Sequence, residues 1–349
     1  MRNNDNYPDF LVGVRCMTYN HHAYIEDAMN GFTMQQTTFP FVCAIIDDAS
    51  TDGEPDVILR YMNDHFDLAP ESGARQWETD EARFLYARHR QNPNCYFGIV
   101  LLKTNYYSQH KSKEHLMTQW LSDVKYYALC EGDDYWIEPN KLQMQVDFME
   151  SNPDYTLCGT NGLVIWDYGE QPPAYFNDIF ESRELKAEDI IGHWVLPTAS
   201  LFYRKEIRRD YPEWSKLVYS GDQTLQLVSL YKGRLYCFSD LSCVYRKSSL
   251  NTTSVSSIVQ ENYLCEQHIL LYTYYDKWTN NKYHDLVSEY VIMLKARIEK
   301  MKVEERYKQL QHKNPLLPLI TMPKYVLRLK KHDFSSFFKQ VSNLFNGKS

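Results

Sequence analysis

The run at 41–48 (FVCAIIDD) is apolar for six residues and then stops in two carboxylates. A strand that apolar has no polar face to give to water, so it belongs inside a parallel sheet covered on both sides. Two further runs behave alike. Residues 10–19 (FLVGVRCMTY) lead into Asn20-His21-His22, and 126–130 (YYALC) lead into Glu131-Gly132-Asp133-Asp134-Tyr135-Trp136. Ile25, Ala28, Met29 and Phe32 fall at helical spacing after the first run, as do Ile58, Tyr61, Met62 and Phe66 after the second. This alternation predicts an α/β fold with a mostly parallel sheet flanked by helices.

Ligands of such sheets bind outside the carboxyl ends of the strands. Thr18-Tyr19-Asn20, Asp47-Asp48 and Glu131-Gly132-Asp133-Asp134 would therefore open onto one rim. Three carboxylates within four residues repel one another. A hard divalent cation, Mg²⁺ or Mn²⁺, removes that repulsion and keeps open positions for phosphate oxygens. The alternative is an acidic turn capping the next helix. Two acidic strand ends on one rim favour a single cation-and-phosphate site.

Residues 68–94 are polar, with Pro70, Gly73 and Pro93, and read as an excursion carrying a short helix at 78–88. The alternation resumes with a strand at 97–102, a polar loop at 103–108 and a helix near 113–124. Leu142, Val146 and Met149 mark another helix. Strand-like runs follow at 155–167, 198–203, 234–239 and 241–246, with a loop at 168–192 and a helix opened by Ser220-Gly221-Asp222 and ended by Gly233. From about 259 to 312 the pattern is helical, with Val287, Val291, Leu294, Ile298 and Met301 on one face.

Net charge is −7, but from His312 onward seven Lys and Arg face one acid, a net +6 that leaves −13 on residues 1–311. An acidic body argues against nucleic-acid binding. The segment 320–349 mixes Lys324, Arg328, Lys330, Lys331 and Lys339 with Tyr325, Phe334, Phe337, Phe338 and Phe345. It fits an amphipathic membrane-surface contact or a helix packed back on the body. The eight Cys form no CxxC pair, the start Met1-Arg2-Asn3-Asn4-Asp5-Asn6 lacks the apolar core of a signal peptide, and no 18-residue apolar stretch exists. The expectation is a cytoplasmic, reduced protein, with peripheral contact on the inner face of the cell membrane if the tail binds lipid.

Cys16-Met17-Thr18-Tyr19-Asn20-His21, Asp47-Asp48-Ala49-Ser50-Thr51-Asp52-Gly53 and Glu131-Gly132-Asp133-Asp134-Tyr135-Trp136 with Lys141-Leu142, in that order and spacing, resemble the large inverting family of GT-A-fold glycosyltransferases (family 2). These enzymes build bacterial surface polysaccharides and lipid-linked oligosaccharides. The resemblance covers residues 10–250. It implies a GT-A domain over 1–255, with a nucleotide-sugar-binding part at 8–150 and an acceptor part at 151–255, followed by a helical C-terminal extension, 256–349.

The resemblance also implies residue roles. Thr18, Tyr19 and Asn20 would lie at the nucleotide base and ribose, and Asp47 or Asp48 would accept a hydrogen bond from the base. Glu131-Gly132-Asp133 falls in the family's Asp-x-Asp slot, with Glu131 and Asp133 as metal ligands and Asp134 beside them. Glu in the first position lengthens the reach, so which of the three acids touches metal stays open. Asn105 lies in a loop matching another part of the donor site.

Asp222 fits the general base that takes a proton from the acceptor hydroxyl; as a plain sequence feature it is also a helix N-cap. Arg246, in Tyr245-Arg246, would meet the diphosphate or an anionic acceptor, or serve a structural ion pair. Trp136 would stack on a sugar or pack beneath its loop. Thr198-Ala199-Ser200 would floor the acceptor site. The implied activity is metal-dependent transfer of one sugar, with inversion, from a UDP-linked donor to a glycan or lipid-linked hydroxyl. The alternatives are a nucleotide-sugar- or glycan-binding subunit without turnover and, more remotely, a two-carboxylate glycoside hydrolase.

Overall fold

The computed structural model describes residues 7–167, 171–247 and 258–313. The basic segment 320–349 lies outside the described residues. The chain divides into two compact units: the described parts of Met1–Val255 with Gln267–Val291, and those of Ser256–Glu266 with Ile292–Ser349.

The first unit opens with β1 (Val12–Thr18), α1 (Ile25–Thr33), β2 (Phe41–Asp47) and α2 (Glu54–His65), in the order that the hydrophobic spacing predicts. Then come β3 (Phe66–Asp67), β4 (Arg75–Glu78), β5 (Ala82–His89) and β6 (Cys95–Leu102). The short helix expected at 78–88 is instead β5, whose Phe84–Ala87 core is buried between the exposed Arg83 and Arg88. Pairing with β6 and β4 decides this segment, since a strand buried in a sheet overrides local preference.

α3 (Glu114–Leu121), β7 (Tyr126–Leu129), β8 (Tyr135–Trp136), α4 (Lys141–Ser151) and β9 (Tyr155–Trp166) continue the unit. The segment expected as loop at 168–192 holds β10 (Ala174–Tyr175), β11 (Arg183–Leu185) and α5 (Ala187–Ile190). β12 (Phe202–Arg204) and α6 (Gly221–Lys232) precede β13 (Arg234–Lys247). The two strands expected at 234–246 are one bulged strand, with its register shifting between Phe238 and Cys243.

The strands form one 13-stranded mixed sheet with β7, β1, β2 and β6 side by side and parallel. Along β2, Val42, Ala44 and Ile46 enter one core with Leu116, Trp120 and Val228. Phe41, Cys43 and Ile45 enter the opposite core with Ile25, Phe32 and Ile58. Each large apolar side chain so buried contributes roughly 1.5–3 kcal/mol. This is the Rossmann-like α/β arrangement, flanked by helices, that the resemblance implies.

Helices α7 (Ile258–Trp278) and α8 (His284–Lys313) supply residues to both units. In the first unit Leu271, Tyr272, Tyr275 and Val287 join the core. In the second, Leu294, Ile298 and Met301 are buried and Arg297 donates to Glu261 at 2.8 Å. No helix among the described residues is long and apolar enough to cross a membrane. All eight Cys are buried free thiols.

Candidate functional site

The parallel pairing of β7, β1 and β2 fixes where the acidic strand ends lie. Thr18 stands opposite Asp47 in the β1–β2 register. Past β7, the Gly132 amide donates to Met17 O at 3.0 Å, which lays residues 131–134 along the end of β1. The rim expected from sequence is therefore real, and its closeness is set by Gly132. A Cβ there would stand 2.1 Å from Thr18 Oγ1 and 2.6 Å from Thr18 Cβ. Gly132→Ala is expected to destabilise the fold by about 1–3 kcal/mol and to push the acidic loop off the rim. Urea unfolding reads the first effect, and a midpoint equal to that of the wild type would contradict the packing described.

Glu131, Asp133 and Asp134 each present a carboxylate oxygen within 4.8 Å of the others. Asp134 is buried; its Oδ1 accepts the Arg246 amide at 2.9 Å, whereas its Oδ2 has no partner. Burial, then the charge of Asp133, raises its pKa well above the carboxylate range. Glu131 reaches solvent, yet dense surrounding protein, then Asp133 and Asp222, push it up to about 8. Three carboxylates so placed, one with a buried oxygen that lacks a partner, could hold a hard cation. His21 closes the group, its Nε2 lying 3.8 Å from Asp133 and its Nδ1 3.1 Å from Thr18 Oγ1.

Asp47 and Asp48 separate in role. Asp48 accepts the amides of Tyr106 (2.7 Å) and Tyr107 (3.0 Å) and pairs with Lys113 at 2.6 Å. It thus anchors the 105–107 loop instead of standing open to a base. Asp47 accepts the Ser50 amide at 3.2 Å on one oxygen and leaves the other, buried, without a partner. Burial is the main cause of its pKa rising to about 6. Asn105 also faces inward: its amide donates to Asp48 O at 3.0 Å.

Thr18 is buried, with its hydroxyl donating to Glu54, so it sits behind the rim and offers no open contact to a nucleotide. Asn20 clasps the neighbouring loop, accepting the Thr51 amide at 2.8 Å and donating its own to Ser50 Oγ at 2.9 Å. Asn20 (φ 58°) and Ala49 (φ 62°) both adopt the left-handed region. That costs roughly 1–2 kcal/mol for Ala, strain of the kind that gathers at functional loops. Tyr19, 43% exposed, is left free to stack on a ring.

Arg246 is buried between the Tyr24 and Tyr135 rings (4.5 and 5.0 Å), with Asp27 at 2.8 Å and Asp167 at 3.5 Å. This is the structural ion pair; one guanidinium nitrogen, Nη1, stays without a partner. Trp136 is buried and its indole N–H donates to Ala199 O at 2.7 Å, so it packs beneath its loop.

Asp222 lies in the first turn of α6, behind the cap residue Ser220. Its carboxylate accepts the hydroxyls of Ser220 (2.8 Å) and Thr198 (3.0 Å), which aim it. Its charge adds to the upward shifts of Glu131 and of the Tyr245 phenol.

Sequence reasoning missed Glu54 and gave Tyr245 no role beside Arg246. Glu54 is fully buried and accepts the Thr18 hydroxyl, the His21 amide (2.8 Å) and the Ser50 hydroxyl (2.9 Å), locking two strand-end loops together. An acid at the start of a helix carries no sequence signal for that role. Burial, then the charges of Asp134, Asp133, Glu131 and Asp222, raise the Tyr245 phenol.

No family model matches the chain. It is 29% identical over 236 residues, 68% of its length, to uncharacterized proteins of Mycobacterium bovis and Mycobacterium tuberculosis, and the match spans 58% of those relatives. Among solved structures it is similar to Staphylococcus aureus TarS 1-349 in complex with UDP (17% identity, 77% of this chain and 73% of that one, TM-score 0.47). It is also similar to the mannosyltransferase PcManGT from Pyrobaculum calidifontis in complex with GDP-Man and Mn²⁺ (13% identity, 100% and 90%, TM-score 0.49).

Proposed function

We propose that the chain is a metal-dependent inverting glycosyltransferase that moves one sugar from a UDP-linked donor to a hydroxyl of a glycan or lipid-linked acceptor. The observation that carries this reading is the placing of three clustered carboxylates past the end of β7, beside the ends of β1 and β2, with Asp222 held at the start of α6 by Ser220 and Thr198. Residues 8–150 would form the nucleotide-sugar part and 151–255 the acceptor part.

Glu131, Asp133 and Asp134 would hold Mn²⁺ or Mg²⁺. A cation bound there supplies positive charge that stabilises the negative charge developing on a departing diphosphate. Asp47, whose Oδ2 has no partner in the protein, would accept a base N–H, and Tyr19 would cover the base. Asp222 would take the proton of the acceptor hydroxyl as that oxygen bonds to the anomeric carbon. The glycosidic C–O bond breaks on the opposite face and its electron pair leaves with the nucleotide, which inverts the anomeric centre. Ser220 and Thr198 keep the carboxylate aimed, and such a positioned base is typically worth about 10²–10⁴-fold.

The test is turnover of UDP-sugars over a panel of glycan acceptors, with Mn²⁺ and with EDTA. Nucleotide release that needs both metal and acceptor supports the proposal. Donor binding without turnover over the whole panel would point to a binding subunit, and sugar release without nucleotide or metal to a hydrolase.

A further inference from the structure

Three rings stand in the first unit where no core requires them. Phe176 and Trp194 lie with centroids 5.1 Å apart, Phe176 and Tyr245 5.7 Å, and Trp194 and Tyr245 5.3 Å, each pair edge to face at 80–86°. Trp194 is nevertheless 43% exposed. Rings grouped in this way and partly open to water form the kind of contiguous apolar patch that marks a contact surface.

The holding is explicit. Buried Asn161 donates to Asn177 O (3.2 Å) and Ile179 O (3.3 Å) and accepts the Asn177 amide at 3.2 Å. The Asn177 side chain then donates to Val195 O at 2.8 Å, tying the Phe176 turn to the backbone beside Trp194. The Phe176 amide donates to Gly162 O at 2.9 Å. Four residues beyond Trp194, Thr198 aims Asp222. The third ring, Tyr245, precedes Arg246, whose backbone amide donates to Asp134 Oδ1 at 2.9 Å. The corner is thus built against the carboxylates, from elements that its own hydrogen bonds keep in place.

We infer that Phe176, Trp194 and Tyr245 form the acceptor subsite, in which an uncharged pyranose ring lays its C–H face on the indole of Trp194 and turns a hydroxyl toward Asp222. This deepens the glycosyl-transfer reading and rests on it. A sugar ring offers the apolar face an aromatic side chain can cover and a hydroxyl rim that suits nearby acceptors. Glu131, Asp133, Asp134 and Asp222 disfavour an anionic ring, because the Arg246 cation close by is already paired with Asp27 and Asp167. Trp194 and Phe176 would act by binding, with no part in the bond changes.

The experiment is calorimetry on the full chain loaded with UDP and Mn²⁺, using cellotriose, chitotriose and maltotriose as probes. At least one trisaccharide is expected to bind. Trp194→Ala, and separately Phe176→Ala, should weaken it by about tenfold or more, whereas Trp194→Phe stays within about threefold. UDP affinity should be equal in all variants, which shows that the fold is kept. Binding of none of the three sugars, or binding to Trp194→Ala as tight as to wild type, overturns the subsite. Failure of wild type to bind UDP with Mn²⁺ would instead defeat the glycosyl-transfer reading, a separate result.

Discussion

Asp222→Asn is expected to lower sugar transfer by about 10²–10⁴-fold while UDP binding in the presence of Mn²⁺ stays unchanged. The carboxylate is held by two hydroxyls, from Ser220 and Thr198, and by the amide of Gln223 at 2.8 Å. An amide oxygen keeps part of that network, so the helix start survives, but the side chain no longer accepts a proton at neutral pH. If Asp222 served α6 alone, the same change would lower thermal stability and leave turnover per folded molecule intact. The pairing of steady-state rate with nucleotide affinity separates the two roles. Full transfer activity in the variant would remove Asp222 from the chemistry.

The second large effect concerns pH and metal together. Burial and like charge raise Glu131 from 4.5 to about 8, and burial raises Asp47 from 3.8 to about 6. Each folded-state pKa lies above its unfolded value. Across that window the folded protein keeps a proton that the unfolded chain has lost, so rising pH disfavours folding. The metal-free protein should therefore lose stability from about pH 4.5 to about pH 8 through these groups and level off above.

Mn²⁺ competes with the same protons, so its binding tightens over this range and its stabilisation grows with pH. At a hundredfold excess over Kd that stabilisation is about 2.7 kcal/mol. Thermal unfolding at pH 5, 6, 7 and 8, with EDTA or Mn²⁺, measures both trends. Glu131→Gln should flatten the metal-free slope. An Mn²⁺-induced shift in Tm equal at every pH would contradict the description of these carboxyls.

The parallel core and its acidic rim were legible because their signals are local. Six apolar residues at 41–46 leave β2 no exposed face, and the acids at 131–134 follow β7 directly. What escaped is what depends on residues distant in sequence. Residues 82–89 became a strand through pairing with β4 and β6, against a spacing that also suits a helix. Asp48 was indistinguishable from Asp47 until Tyr106, Tyr107 and Lys113 closed on it. Glu54 gained its role from Thr18, His21 and Ser50 on two loops. The ring corner joins residues 176, 194 and 245, and the Asn161 and Asn177 bonds that tie the first two together carry no signal in the strand and loop where they lie.

The central claim, that these strand ends grip a nucleotide diphosphate through a cation, is tested most directly by titrating UDP into the protein with Mn²⁺ and with EDTA. The account predicts that EDTA weakens UDP by about tenfold or more and that the double variant Glu131→Gln, Asp133→Asn binds UDP equally weakly with or without Mn²⁺. UDP affinity that is the same in wild type with Mn²⁺ and with EDTA would contradict it.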